Sequence, residues 1–180
     1  MKLQTFYTTL DSSIGELLLT SNGKAITGLF TGLFMEEHKG EAKPINEWRR
    51  DDDQFREATR QLQAYFAGEL TEFDLPLAPA GTEFQKRVWT ELQKIPYGST
   101  INYGELARRV GHPNASRAVG GANGKNPISI IIPCHRVIGS NGSLTGYGGG
   151  IERKRFLLDL EASFLNSRIQ MSCSGRVATP

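Results

Sequence analysis

Cys134 and His135 stand side by side at the end of an almost unbroken apolar run, "ISIIIPCHRVIGSNGSLTGYGGG", from Ile128 to Gly150. A thiolate is a strong nucleophile and an imidazole is the side chain best suited to take a proton near neutral pH. The plain alternative is packing, because a free cysteine behaves as a small hydrophobe, with His135 a surface imidazole. Three neighbours favour chemistry. Pro133 fixes the backbone and removes a donor just before the thiol, and His135 and Arg136 place polar groups where the apolar run stops. "ISIIIP" is β-branched, too short for a helix, and predicts a strand buried on both faces. Adjacent strand residues point to opposite faces, so a direct thiol–imidazole hydrogen bond would need a sharp bend. A single bridging water would carry the proton instead. A catalytic histidine is normally oriented by a third group. Glu161, in "LLDLEA", is the candidate; its plain alternative is a solvated helix end.

The other chemical candidates are weaker. "GYGGG" does not open a helix after a strand, so the dinucleotide-phosphate reading is rejected. Close backbone approach to a flat ligand, with Tyr147 supplying a ring, fits better. The chain has two cysteines, Cys134 and Cys173, too few for a disulfide scaffold or a cysteine-rich zinc site. No His, Cys and carboxylate cluster has metal-ligand spacing. Neither a metal nor a cofactor is expected.

Two groups of elements must position these residues. "LQTFYTTL", "GELLLTSNG" and "KAITGLF" read as short strands, with Asn22-Gly23 as a hairpin turn. Residues 32–48 show no period and read as loop. "DDDQFREATRQLQAYFAG" predicts an amphipathic helix with Phe55, Ala58, Leu62, Tyr65 and Phe66 at helical spacing, stopped by Gly68. "FDLPLAPAG" marks a domain boundary. "TEFQKRVWTELQKI" opens on Thr82 and Gln85, a capping-box pair, with Phe84, Val88, Leu92 and Ile95 as its stripe. "YGELARRVG" and "NASRAVGGAN", with Asn114 as N-cap, are joined by "GHPN" and match a helix-turn-helix. That pattern is most often simple packing. "IERKRFLLDLEA" is the closing helix, with Phe156, Leu157 and Leu160 on one side, and the remainder reads as a frayed tail.

Composition bounds the class. The chain of 180 residues is 38% hydrophobic and 22% charged, ordinary for a soluble globular protein. No apolar run reaches the ~20 residues of a membrane span, and no secretory signal is seen, so the cytoplasm is the expected location. The formal net charge is +2. Acidic residues gather in the first half and basic ones between Gln85 and Arg155, a distribution compatible with an anionic partner.

Taken together, "NPISIIIPCHRVIGSNGSLTGYGGGIERKRFLLDLE" resembles the active-site region of the O6-alkylguanine-DNA alkyltransferases, with Pro-Cys-His-Arg-Val as the signature. The resemblance extends through "FQKRVWTELQKIPYGSTINYGELARRVG" and "SRAVGGANGKNP" and covers Thr82 to Glu161. It is similar to the stand-alone bacterial form. It implies an α+β (α/β) chain: a sheet-plus-helix, ribonuclease-H-like domain over residues 1–80, a mainly helical, winged-helix-like alkyltransferase and DNA-binding domain over 81–165, and a flexible tail over 166–180.

The resemblance also implies a mechanism. Cys134 takes the alkyl group from O6-alkylguanine, and by extension O4-alkylthymine, irreversibly and once per molecule. His135 draws off the thiol proton through a water, Glu161 holds the imidazole, and Asn126 braces the turn. The lesion must leave the base stack. Arg117 would fill the gap and Tyr103 would press the adjacent phosphate, while Ala118 and Gly121, in "AVGGA", let the second helix approach the minor groove of double-stranded DNA. The backbone of Val137 and Gly148, with the Tyr147 ring, would form the base pocket. A monomer without membrane contact is implied. Two other readings stay open: a multi-turnover cysteine hydrolase using Cys134, His135 and Glu161, and a DNA-binding module whose cysteine is incidental.

Overall fold

The computed structural model describes residues 4–31 and 47–174, with side chains to residue 165. Strands β1 (Phe6–Leu10), β2 (Leu17–Ser21) and β3 (Ile26–Thr31) form an antiparallel meander. The short β4 (Arg49–Arg50) pairs in parallel with β1, giving the order β3-β2-β1-β4. β2 is central and all five of its residues are buried. The Asn22-Gly23 turn joins β2 to β3, with Gly23 at φ 87°. The expected loop over residues 32–48 falls mostly outside the described residues, and its last part leads into β4.

A 3-10 turn (Asp52–Phe55) runs into α1 (Arg56–Phe66). Phe55, Ala58, Leu62 and Tyr65 are buried, as their spacing predicts. The connecting segment is not a free linker. Ile26 N donates to Pro76 O at 2.8 Å, and Ala78 N donates to Ile26 O at 2.8 Å, which ties it to the edge of β3.

Helix α2 (Glu83–Gln93) carries the predicted capping box: Gln85 N donates to Thr82 Oγ1, and Thr82 N donates to the Gln85 side chain. It buries Val88, Trp89 and Leu92. β5 (Ile101–Asn102) precedes α3 (Tyr103–Arg109), and α4 (Ser116–Gly124) follows after a tight link in which Gly111 takes φ 83°. Asn114 is not the N-cap of α4. Ala115 holds that position and no side chain caps it, since the link folds back through Ala115 N to His112 O. β5 pairs in parallel with β6 (Val137–Ile138).

Two further expectations are corrected. Residues 128–133 form consecutive turns rather than a strand, with Ile131 N donating to Ser129 O, Ile132 N to Ile128 O and Cys134 N to Ile132 O. The β-branched run reflects burial on all sides, not extension. Only Ile128 bridges to the sheet, beside Leu29 at the free edge of β3. Closing helix α5 (Ile151–Ser174) extends further than the sequence pattern marks, into the expected tail. Its buried stripe is Lys154, Leu157 and Glu161, whereas Phe156 is exposed. Once Leu157 faces inward, the residues three before and four after it must follow.

One continuous core joins Leu17, Leu19 and Leu29 of the sheet to Tyr65 of α1, Trp89 of α2 and Leu157 of α5. Because α2 opens on a reciprocal cap, Thr82→Ala is expected to cost about 1 kcal/mol. That corresponds to a melting temperature lower by about 2–4 °C, read by thermal unfolding against the unsubstituted protein.

Candidate active site

Pro133 turns the chain into a single 3-10 turn, Cys134–Arg136. Three residues per turn send consecutive side chains in three directions, unlike the alternation of a strand. Cys134 faces a small cleft lined also by Asn126, Ser129, Gly148 and Gly149. His135 and Arg136 both reach Glu161 on α5.

The loop ahead of the thiol is held in a costly conformation. Ile130 has φ 71°, which a β-branched residue rarely adopts. Asn126 fixes it from inside: Ile128 N donates to its Oδ1 at 3.0 Å, and its Nδ2 donates to Ile132 O at 2.8 Å. Asn123 of α4 donates to Cys134 O at 3.3 Å. The thiol is 4% exposed. Burial raises its pKa, partly offset by Asn126 and the Lys154 charge, so the resting group is a thiol that needs a base.

Glu161 is fully buried and accepts from four residues: His135 Nε2 (2.8 Å), Tyr65 Oη (2.8 Å), Gly98 N (2.8 Å) and Arg136 through Nε and Nη2 (3.0 and 2.9 Å). Arg136 Nη1 is tied to Ile95 O at 2.6 Å. Gly98 is required there, because it sits at φ 68° and a Cβ would collide with Leu165. Burial alone would raise the Glu161 carboxyl, but His135 and Arg136 outweigh it and hold the group at about 2. Burial lowers the His135 pKa; Glu161 opposes this, and Arg136 and Lys154 lower it further. The combination is an ionised Glu161 balanced by Arg136, with a neutral His135. Nε2 must carry the ring proton to donate to the carboxylate, so Nδ1 keeps its lone pair. Nδ1 is buried and has no hydrogen-bond partner among the described residues.

The structure therefore brings together Cys134, His135, Glu161 and Asn126. It places Arg117, Ala118 and Gly121 on the exposed face of α4. Tyr103, at the start of α3, is half-buried and donates to Thr145 O at 3.0 Å, tying helix to Gly-rich loop. Val137 is buried in β6, Tyr147 is 9% exposed, and Gly148 lies beside the thiol in the cleft. A larger cavity lies behind Arg136, lined by Phe73, Ile95, Pro96 and Tyr97, and does not include Cys134.

Four contacts of the site escape the sequence reading, those of Tyr65, Gly98, Arg136 and Lys154. Tyr65 reads as a core aromatic and Gly98 as turn punctuation. Arg136 carries no local sign of the carboxylate it meets. Lys154 looks like part of a solvated "ERKR" face, yet it is fully buried and donates to the carbonyls of Val137 and Thr145. Burial lowers its pKa to about 8. The available signal was its spacing from Leu157 and Glu161. Among the described residues no group of His, Cys, Asp and Glu could hold a metal ion.

Comparison with known proteins finds relatives over most of the chain. Residues 5–79 match the family model described as 6-O-methylguanine DNA methyltransferase, ribonuclease-like domain, and residues 83–163 match its DNA binding domain. The methylated-DNA–protein-cysteine methyltransferase of Methanosarcina acetivorans is 54% identical over 158 residues, covering 88% of this chain and 99% of that protein. The protein of the same name from Mycobacterium tuberculosis is 56% identical over 157 residues, covering 87% and 92%. Among solved structures, the Mycobacterium tuberculosis O6-methylguanine methyltransferase superposes with a TM-score of 0.81 at 54% identity, covering 89% of this chain and 94% of that one. The Mycobacterium tuberculosis protein in complex with DNA gives 0.79 at 54%, covering 88% and 94%.

The charge on Glu161 sets an acid sensitivity. Its folded pKa lies below the ordinary 4.5, so its contribution is complete above about pH 4.5 and is lost as pH falls towards 2. Glu161→Gln should cost about 3–5 kcal/mol at neutral pH, because Arg136 is left buried beside a neutral amide. The gap between the two proteins should narrow through that acid window. Urea unfolding at a series of pH values checks this, and a gap independent of pH would show that the carboxylate charge is not its source.

Proposed function

The chain belongs to the 6-O-methylguanine DNA methyltransferase family, and we propose that Cys134 is the residue that accepts the alkyl group in its repair reaction. The activity is direct reversal of damage: an alkyl group passes from the O6 of guanine in DNA to the protein itself. The observation that carries the assignment is the buried thiol placed one residue before a neutral imidazole, whose other nitrogen is anchored on Glu161.

The thiol proton passes through a water to Nδ1 of His135. The thiolate attacks the alkyl carbon in line with the C–O bond, a thioether forms, and the electron pair of that bond stays on O6. The proton held by His135 then neutralises the departing guanine. Glu161 and Arg136 keep the ring oriented and uncharged at rest. Asn126 and the turns ahead of Pro133 hold the sulfur still, which favours the displacement geometry. Among the described residues no side chain is placed to cleave the thioether, so each molecule reacts once.

Double-stranded DNA is the partner, read from the minor groove. The exposed face of α4 fits that use: Arg117 reaches out to fill the space of the extruded base, and Ala118 and Gly121 allow close approach. Tyr103 turns the nucleotide, and its bond to Thr145 O couples it to the pocket loop. The backbone of Val137 and Gly148 and the Tyr147 ring receive the base, and Gly148 in the Cys134 cleft supports this. The same pocket extends to O4-alkylthymine. We assign residues 1–80 and 81–165 as the two domains, supported by the two family matches, with α5 continuing past the second to Ser174. The protein acts as a monomer in the cytoplasm, where reducing conditions keep the thiol free. Among the described residues no helix is long and apolar enough to cross a membrane.

Incubation with duplex DNA containing O6-methylguanine should add one methyl group per protein, located on Cys134 by mass spectrometry. Cys134→Ala should bind the DNA and gain nothing. A protein that removes excess lesion and returns unmodified would instead be a hydrolase. Arg117→Ala separates the DNA step from the chemistry. Unstacking costs a few kcal/mol, so repair of duplex DNA should slow by about tenfold or more, while reaction with the free alkylated base stays near normal. Equal loss on both substrates would remove Arg117 from the extrusion step.

A further inference from the structure

Tyr65 belongs to α1, in the half of the chain that carries neither the thiol nor the DNA-binding helix. It is fully buried, and its ring packs against Phe66, Phe73 and Tyr97 with centroids 5.4, 5.4 and 5.9 Å away. Its hydroxyl donates to Glu161 Oε1 at 2.8 Å, the oxygen that also accepts from His135 Nε2 at 2.8 Å. We propose that Tyr65 is a positioning residue for alkyl transfer, by which the N-terminal domain completes the active site. The proposal rests on the reading of His135 as the base.

The direction of the bond is fixed. Burial, followed by the nearby Glu161 charge, raises the Tyr65 pKa well above the usual phenol value. The hydroxyl keeps its proton and can only donate. Its donation does two things to Oε1. It withdraws electron density from the oxygen that pulls on the His135 Nε2 proton, and with Gly98 N on the other oxygen it stops the carboxylate from rotating. The charged groups acting on His135 are Glu161, Arg136 and Lys154. Of these, Glu161 favours the imidazolium, while Arg136 and Lys154 oppose it. A carboxylate relieved of Tyr65 attracts the proton on Nε2 more strongly. His135 then becomes charged at higher pH and loses the lone pair on Nδ1. A tyrosine that merely fills the core would need only its ring, which phenylalanine supplies.

The test is single-turnover methyl transfer from a duplex carrying O6-methylguanine, followed from acid to mildly alkaline pH. Tyr65→Phe should bind DNA normally and react about tenfold more slowly at neutral pH, the loss expected when a hydrogen bond to a charged group is removed. The acid limb of its pH–rate profile should move to higher pH, so that the deficit narrows under alkaline conditions. In a Glu161→Gln background the same change should have no further effect on the rate. Replacing Tyr65 with 3-fluorotyrosine, which keeps the ring shape and strengthens the donor, should move the acid limb the other way, and decides the matter if Tyr65→Phe does not fold. An unchanged rate and an unmoved limb, with only a lower melting temperature, would overturn the proposal. So would additive losses with Glu161→Gln, or a fluorotyrosine protein indistinguishable from the unsubstituted one. If the unsubstituted protein itself gains no methyl on Cys134, the acceptor assignment fails instead.

Discussion

Glu161 has no exposed surface, and a carboxylate without water stays ionised only where donors surround it. Here the donors come from all over the chain: Tyr65 from α1, Gly98 from the turn after α2, and His135 and Arg136 from the 3-10 turn. Each must arrive at one point, so the carboxylate fixes how α1, α2 and α5 meet. The division of labour among the donors matters for chemistry. Arg136 carries a permanent charge and balances the anion. His135 is therefore not needed as a counter-ion, and can remain a neutral base in a buried place. Had the pair been histidine and glutamate alone, the uncompensated carboxylate charge would have drawn a proton onto the imidazole and locked the ring to its partner as an imidazolium.

The thiol sits on a different constraint. Residues 126–133 run through the interior as turns, not as a strand, so their polar backbone groups need partners one by one. Asn126 supplies two, and the free edge of β3 supplies two more, through Leu29 N to Pro127 O and Ser129 N to Leu29 O. The N-terminal sheet is thus a jig for the loop that presents Cys134. The left-handed Ile130 is held by this bracing, a conformation that an isolated segment would shed. Strain of that kind suits the nucleophile proposed at Cys134, whose position must not vary during an in-line displacement.

The surface proposed to meet DNA is built separately from the proposed chemistry but is tied to it. α4 exposes Arg117, Ala118 and Gly121 outward, and on its inner side Asn123 holds the carbonyl of Cys134. Tyr103 links the start of α3 to the loop over the cleft through Thr145 O, and Lys154 grips the same carbonyl from below. A nucleotide pressed against this face would therefore meet a loop whose position the core already sets.

Local patterns determined much of this protein. The meander, α1, α2 with its capping box and the helix pair follow from periodicity and turn residues, which act within a few positions along the chain. The Pro-Cys-His-Arg run and Glu161 stood out as candidates through the family resemblance, since by residue type alone a cysteine at the end of an apolar run is as readily packing and a glutamate after a helical stripe as readily solvated. What the tertiary structure alone decided is what depends on distance in space. An apolar β-branched run is equally suited to a buried strand and to buried turns, and here the Asn126 side chain holds the turns while Leu29 of β3 anchors their start. Lys154 looked solvated until the closing helix was rotated by Leu157. Tyr65 and Glu161 are 96 positions apart. No pattern along the chain marks the phenol as anything but core, because its hydrogen bond exists only once the two halves share one interior.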